Sequence, residues 1–136
     1  HWSSLEMVAG LRFKDGNGVE IKGGFPLVDD SFEGELLVRW PTYSPEGEII
    51  IKLNEKSLII LATGWPKNNW FLELSSDPQA EMPFIKIEPE KLHCNFKNSH
   101  YVILAKQGRF VNKKDSNLKI IPDETRIILD FSSRGK

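Results

Sequence analysis

The chain has 136 residues, 40% hydrophobic and 27% charged, which is the composition of one folded domain rather than a disordered segment. Eighteen Lys and Arg against 19 Asp and Glu give a net charge of −1, so no global field attracts nucleic acid or an anionic membrane. No apolar run approaches the ~18 residues of a membrane-spanning helix.

The charge is uneven along the chain. Residues 1–90 carry 8 basic and 15 acidic side chains, and residues 91–136 carry 10 and 4. This predicts either an anion- or partner-binding face near Lys106, Arg109, Lys113, Lys114 and Lys119, or two halves that interleave in space and neutralise each other. Strand pairing over long sequence distances favours the second.

Alternation with period two is the dominant signal. Leu5, Met7, Ala9, Leu11 and Phe13 share one face of a first strand. Asp15-Gly16-Asn17-Gly18 then supplies turn chemistry, because Gly and Asn accept positive φ, and Val19 and Ile21 return as the second arm of a hairpin. Gly23-Gly24-Phe25-Pro26 breaks the pattern. A strand is predicted over Glu35–Trp40, followed by a loop over Pro41–Gly47.

Strands are next expected at Glu48–Leu53, Ser57–Ala62 and Trp70–Leu74, the first two joined as a hairpin by Asn54-Glu55-Lys56. Ser75–Pro83 reads as a loop with room for one helical turn. The beat resumes at Phe84–Ile87, Lys91–Phe96, Tyr101–Lys106, Leu118–Ile121 and Thr125–Phe131, with a short piece at Arg109–Val111. About ten strands with frequent turns predict an all-β fold: an antiparallel β-sandwich, immunoglobulin-like or jelly-roll-like, with a closed β-barrel as the alternative. The absence of repeats and linkers makes residues 1–136 a single domain.

Four strands are apolar on both sides: Ile49-Ile50-Ile51, Leu58-Ile59-Ile60-Leu61, Val102-Ile103-Leu104 and Ile127-Ile128-Leu129. Such strands lie beneath a second layer, or face a partner subunit or a parent protein.

The common catalytic and nucleotide-binding motifs are missing, so no enzyme activity and no cofactor are predicted. His93 and Cys94 are adjacent in a strand and point to opposite faces, which prevents their sharing a metal. His93 and His100 can meet across a hairpin, but Asn98-Ser99 offers no third ligand, and no metal site is expected. Asp15-Gly16-Asn17-Gly18 shares its start with a calcium loop but lacks the remaining ligands. Asp29, Asp30, Glu33 and Glu35 are numerous enough for paired-carboxylate chemistry, yet their loop setting suits solvated acids.

The aromatic content is more distinctive. Trp65-Pro66-Lys67-Asn68-Asn69-Trp70 joins two predicted strands, and Trp40-Pro41-Thr42-Tyr43 ends another. Tryptophan there caps a core, or stacks on a sugar ring while Asn and Lys bond its hydroxyls, or anchors a protein partner. Trp70 opens an apolar strand and is expected to be buried, which leaves Trp65 as the better exposed ring. The candidate ligand-binding set is Trp65, Lys67, Asn68, Asn69, Trp40 and Tyr43.

Two stretches resemble known families. Gly10-Leu11-Arg12-Phe13-Lys14-Asp15-Gly16-Asn17-Gly18 resembles the first hairpin of small lipoproteins exported by Bacteroidetes, which often open a β-sandwich with an x-x-F-x-D-x-x-G phrase after a lipidated cysteine. Phe110 to Phe131, through Phe110, Asn112, Leu118, Pro122, Asp123, Glu124 and Thr125, resembles the end of immunoglobulin-like accessory domains of β-mannosidase-type glycoside hydrolases, with Asp123 where those domains usually carry Gly. The first resemblance implies an exported bacterial protein, the second a non-catalytic domain, and both point towards bacterial glycan biology.

The one cysteine, Cys94, excludes an internal disulfide, and this suits a periplasmic, cell-surface or secreted bacterial protein as well as a cytoplasmic one. The chain opens on His1 rather than Met, which is compatible with an export signal removed upstream. No Asn-x-Ser/Thr acceptor occurs, which argues against a eukaryotic secreted glycoprotein. The expected function is therefore a non-catalytic binding or accessory module with a glycan as its ligand. The alternatives are a structural domain that packs on a protein partner, a parent enzyme or a second copy of itself, and a small-ligand barrel.

Overall fold

Alternation predicts strands because successive side chains of an extended backbone point to opposite faces. A computed structural model describes residues 12–67, 69–75, 84–96, 99–112 and 117–131, and every regular element among them is a strand. In chain order these are β1 (Arg12–Asp15), β2 (Lys22–Gly23), β3 (Leu27–Asp29), β4 (Glu35–Ser44), β5 (Glu46–Asn54), β6 (Ser57–Thr63) and β7 (Trp70–Ser75). They continue with β8 (Phe84–Ile87), β9 (Lys91–Phe96), β10 (Ser99–Gln107), β11 (Arg109–Asn112), β12 (Asn117–Ile121) and β13 (Arg126–Asp130). The Leu5–Leu11 part of the first predicted strand and most of the Ser75–Pro83 loop lie outside the described residues.

Two antiparallel sheets result. The smaller has the order β1-β7-β12-β11; the larger runs β2-β4-β5-β6-β13-β10-β9-β8, with β3 also paired to β4. Each order is open-ended, so the sheets form a sandwich and do not close into a barrel. The charged halves of the chain interleave, since β12 pairs with β7 and β13 with β6. Lys106 meets Asp130 at 2.8 Å, and Lys119 sits over the Phe71 ring at 4.3 Å. Lys113 and Lys114 lie outside the described residues.

One core joins the two sheets. Ile49, Leu53, Leu58, Ile60, Leu92, Ile103, Ile127 and Leu129 enter from the large sheet, and Trp70, Leu72, Phe110, Leu118 and Ile120 from the small one. Cys94 is among them, and burial pushes its thiol up to about 11, leaving it protonated and unreactive.

The expected turn after β1 is present. The Asp15 carboxylate accepts the backbone N–H groups of Asn17 and Val19, which fills the role a calcium ion would need it for, and Gly18 takes φ 83°. The return arm bonds briefly to β1, with Asp15 N–H donating to the Val19 carbonyl, Ile21 N–H donating to the Phe13 carbonyl, and a bridge between Lys14 and Glu20. Buried Ile21 then carries the chain across to β2 in the other sheet.

Two expectations are corrected here. Pro41–Gly47 is not a loop: β4 runs on through Pro41 and turns into β5 over a cis Ser44–Pro45 peptide. Pro41 lacks an N–H, but its carbonyl accepts Gly24 N–H, so the edge ladder continues on acceptors. The break at Gly23-Gly24-Phe25-Pro26 holds over residues 24–26, but the stretch leading on to Glu35, expected to carry no strand, contains β3, and β2 precedes the break as a second short edge strand. Gly23 is required by closeness: a Cβ there would overlap the Trp40 indole and the Pro41 carbonyl. In the β12–β13 turn the left-handed residue is Glu124 (φ 58°), while Asp123 exchanges backbone bonds with Arg126.

Candidate functional site

The candidate aromatic residues divide between core and surface. Trp65 is 5% exposed, contrary to the exposed position expected of it. Gly64 (φ 83°) turns the chain after β6 so that the indole folds back over Gly47, where an added Cβ would come within 2.9 Å of the ring. Its Nε1–H donates to Thr42 Oγ1 at 2.9 Å, and that hydroxyl donates onward to the Pro45 carbonyl at 2.8 Å. The Trp65 and Trp70 rings meet edge to face at 5.2 Å, and Phe13 touches both Trp65 and Trp40.

Trp40 is half-buried, and its Nε1–H donates to the Gly24 carbonyl. These three tryptophans therefore seal one end of the sandwich. Trp70 is buried as expected, but its Nε1–H has no hydrogen-bond partner. Trp70→Phe removes an orphaned donor and is expected to change stability by less than about 1 kcal/mol. Trp65→Phe breaks a made hydrogen bond and should cost more; urea unfolding of the two variants side by side checks the order.

The rest of the set lies at or near the surface where it is described. Tyr43 is 67% exposed. Lys67 is exposed and reaches Glu124 at 3.8 Å; Asn69 is exposed with its amide against Gly16. Asn68 lies outside the described residues.

Two of the early carboxylates, Asp29 and Glu35, are engaged locally. Asp29 accepts both the N–H and the hydroxyl of Ser31, and these bonds hold its carboxyl below the usual range. Glu35 pairs with Lys52 at 3.6 Å. Asp30, Glu33 and Glu35 border a hollow of about 390 Å³ whose apolar walls are Phe32, Leu36 and Leu53.

The larger surface feature is one that the doubly apolar strands announced. Side chains directly opposite each other in an antiparallel ladder share a face. With Ile49, Leu53, Leu58, Ile60, Ile127 and Leu129 turned into the core, Ile50, Ile59, Leu61 and Ile128 must stand on the outer face of the large sheet. The register lines them up: Leu27–Arg39–Ile50–Leu61–Arg126 form one row, and Asp29–Leu37–Lys52–Ile59–Ile128 the next. Val102 and Leu104 extend the same face on β10.

Ile50, Ile59, Leu61, Val102, Leu104 and Ile128 are all half-buried. All thirteen described strands belong to the two sheets, so among the described residues no strand layer covers this face. Its charges are largely paired within the chain. Arg39 grips Glu48 with two hydrogen bonds, which hold the Glu48 carboxyl below its ordinary range, and Lys52 and Lys106 are matched by Glu35 and Asp130. Exposed apolar side chains continue onto the edge beyond, at Leu27 in the same row and at Phe25 (92%).

No protein-family model, no curated protein and no solved structure matches the chain.

Proposed function

We propose that the protein is a non-catalytic binding module that associates through the outer face of its large sheet, and that the partner is a second copy of the chain. The observation that carries this reading is the cluster of half-buried Ile50 and Leu61 in one row and Ile59 and Ile128 in the next, across three adjacent strands. An apolar centre with a polar rim is the anatomy of a protein interface.

Area and charge both favour self-association. The five adjacent strands β4, β5, β6, β13 and β10, 5 to 10 residues long at ~3.3 Å per residue and ~4.8 Å apart, make a face of roughly 600 Å², approaching the ~800 Å² per partner of a standard interface. Arg39, Lys52 and Lys106 are already paired internally with Glu48, Glu35 and Asp130, which reduces like-charge conflict where the face meets its own copy about a twofold axis. The test is self-association of the wild type against Ile59→Lys/Ile128→Lys. A wild type that stays monomeric, with a separate partner occupying the same face, would instead favour packing on a parent enzyme.

A glycan-binding reading rests on one observation, the exposed Tyr43 ring close to Gly24 and the 92% exposed Phe25. It predicts that binding on a broad glycan array is lost in Tyr43→Ala while the fold persists; an empty array rejects it. Under either reading the resemblances at the two ends of the chain support an accessory domain of an exported bacterial protein, within the immunoglobulin-like or jelly-roll-like sandwiches.

A further inference from the structure

The β9–β10 hairpin brings together three groups that neither reading above uses. His93 faces outward, because its neighbours Leu92 and Cys94 are fully buried. Val102 is its direct partner in register and His100 lies diagonally across, two residues away on the same face. The imidazoles meet with His93 Nδ1 3.4 Å from His100 Nε2, ring centroids 5.5 Å apart and planes inclined by 35°. On the far side of His93, Nε2 lies 3.4 Å from Glu88 Oε2.

We propose that His93 and His100 form a two-histidine site for a zinc-class divalent ion, oriented by Glu88. Two nitrogens that share a tetrahedral zinc at about 2.0–2.1 Å each lie roughly 3.3–3.4 Å apart, which is the separation already present. The carboxylate sets the tautomer: with the proton on Nε2 donated to Glu88, the lone pair of Nδ1 is directed to the His100 side. A carboxylate behind a ligating imidazole also raises its basicity as a ligand.

The surroundings define what sort of site this is. The His93 side chain is 24% exposed, so an ion reaches it from solvent. Cys94 is turned into the core and is no ligand. Among the described residues no third His, Cys, Asp or Glu joins the two imidazole nitrogens as a ligand, so water fills the remaining positions and the ion exchanges readily. Lys86, opposite His93 in register, is drawn towards Glu88 at 3.7 Å, which offsets its repulsion of a cation.

Calorimetric titration of the whole chain with zinc chloride tests the site. One equivalent is expected to bind, with at least about tenfold weaker binding in His93→Ala and in His100→Ala, and about tenfold weakening in Glu88→Gln. Wild-type thermal unfolding should shift upward with zinc, and that shift should vanish in both histidine variants. His100→Ala keeps the test valid should His93→Ala fold poorly. Zinc binding equal in wild type and both folded histidine variants would overturn the proposal, as would no binding by the wild type at millimolar zinc. His93 and His100 share the outer face of the large sheet with Val102, so the titration is repeated in Ile59→Lys/Ile128→Lys, where loss of zinc binding is read apart from loss of self-association.

Discussion

Trp65→Ala is expected to lower the unfolding free energy by about 3–5 kcal/mol, the range for deleting a buried Trp or Phe side chain from a core. The indole is 5% exposed, and its loss opens a cavity between Phe13 and Trp70, which flank it at 6.4 and 5.2 Å. The edge-to-face contact with Trp70 contributes about 0.5–1.5 kcal/mol within that total, and the bond to Thr42 about 1 kcal/mol. Tyr43→Ala, at the exposed end of the same hairpin, should move stability by no more than about 0.5 kcal/mol. Equilibrium urea unfolding compares the two. Equal small effects would mean that the tryptophan cluster does not seal the core.

Ile59→Lys/Ile128→Lys should act in the opposite manner, leaving the monomer folded and abolishing association. The two isoleucines are direct neighbours across β6 and β13, at the centre of the outer face. On a half-buried sheet position each exchange should cost the monomer no more than about 1 kcal/mol. In a face-to-face dimer the same lysines would be buried next to their own copies, unpaired, in the part of the interface that excludes water. An uncompensated buried charge costs several kcal/mol, enough to lower affinity by more than 100-fold. Circular dichroism checks that the variant folds, and its sedimentation profile reads the association.

Most of the strand pattern was legible because period-two alternation depends only on which residues face the core. The Ile49–Ile51 and Leu58–Leu61 runs announced a second apolar face before any coordinates, since alternation cannot account for Ile50, Ile59 or Leu61. The Pro41–Gly47 segment was misleading: Pro and Gly signal turns locally, yet here Pro41 sits on an edge-side ladder and Gly47 leaves space for Trp65. Those two glycines, 47 and 64, were the available hint that Trp65 turns inward. Their meaning depends on which strand lies across from them, and that is information held in the register rather than in local composition. The His93–His100 approach was foreseeable from the hairpin, whereas Glu88 behind His93 was not, because it joins from the β8–β9 turn.

The outer face of the large sheet is the central claim, and sedimentation equilibrium of the wild-type chain over a range of concentrations tests it most directly. The expected result is a concentration-dependent rise to about 31 kDa, twice the 15.6 kDa mass of the chain, that Ile59→Lys/Ile128→Lys removes. A wild type that remains at 15.6 kDa throughout, or a dimer that the double variant leaves intact, would contradict it.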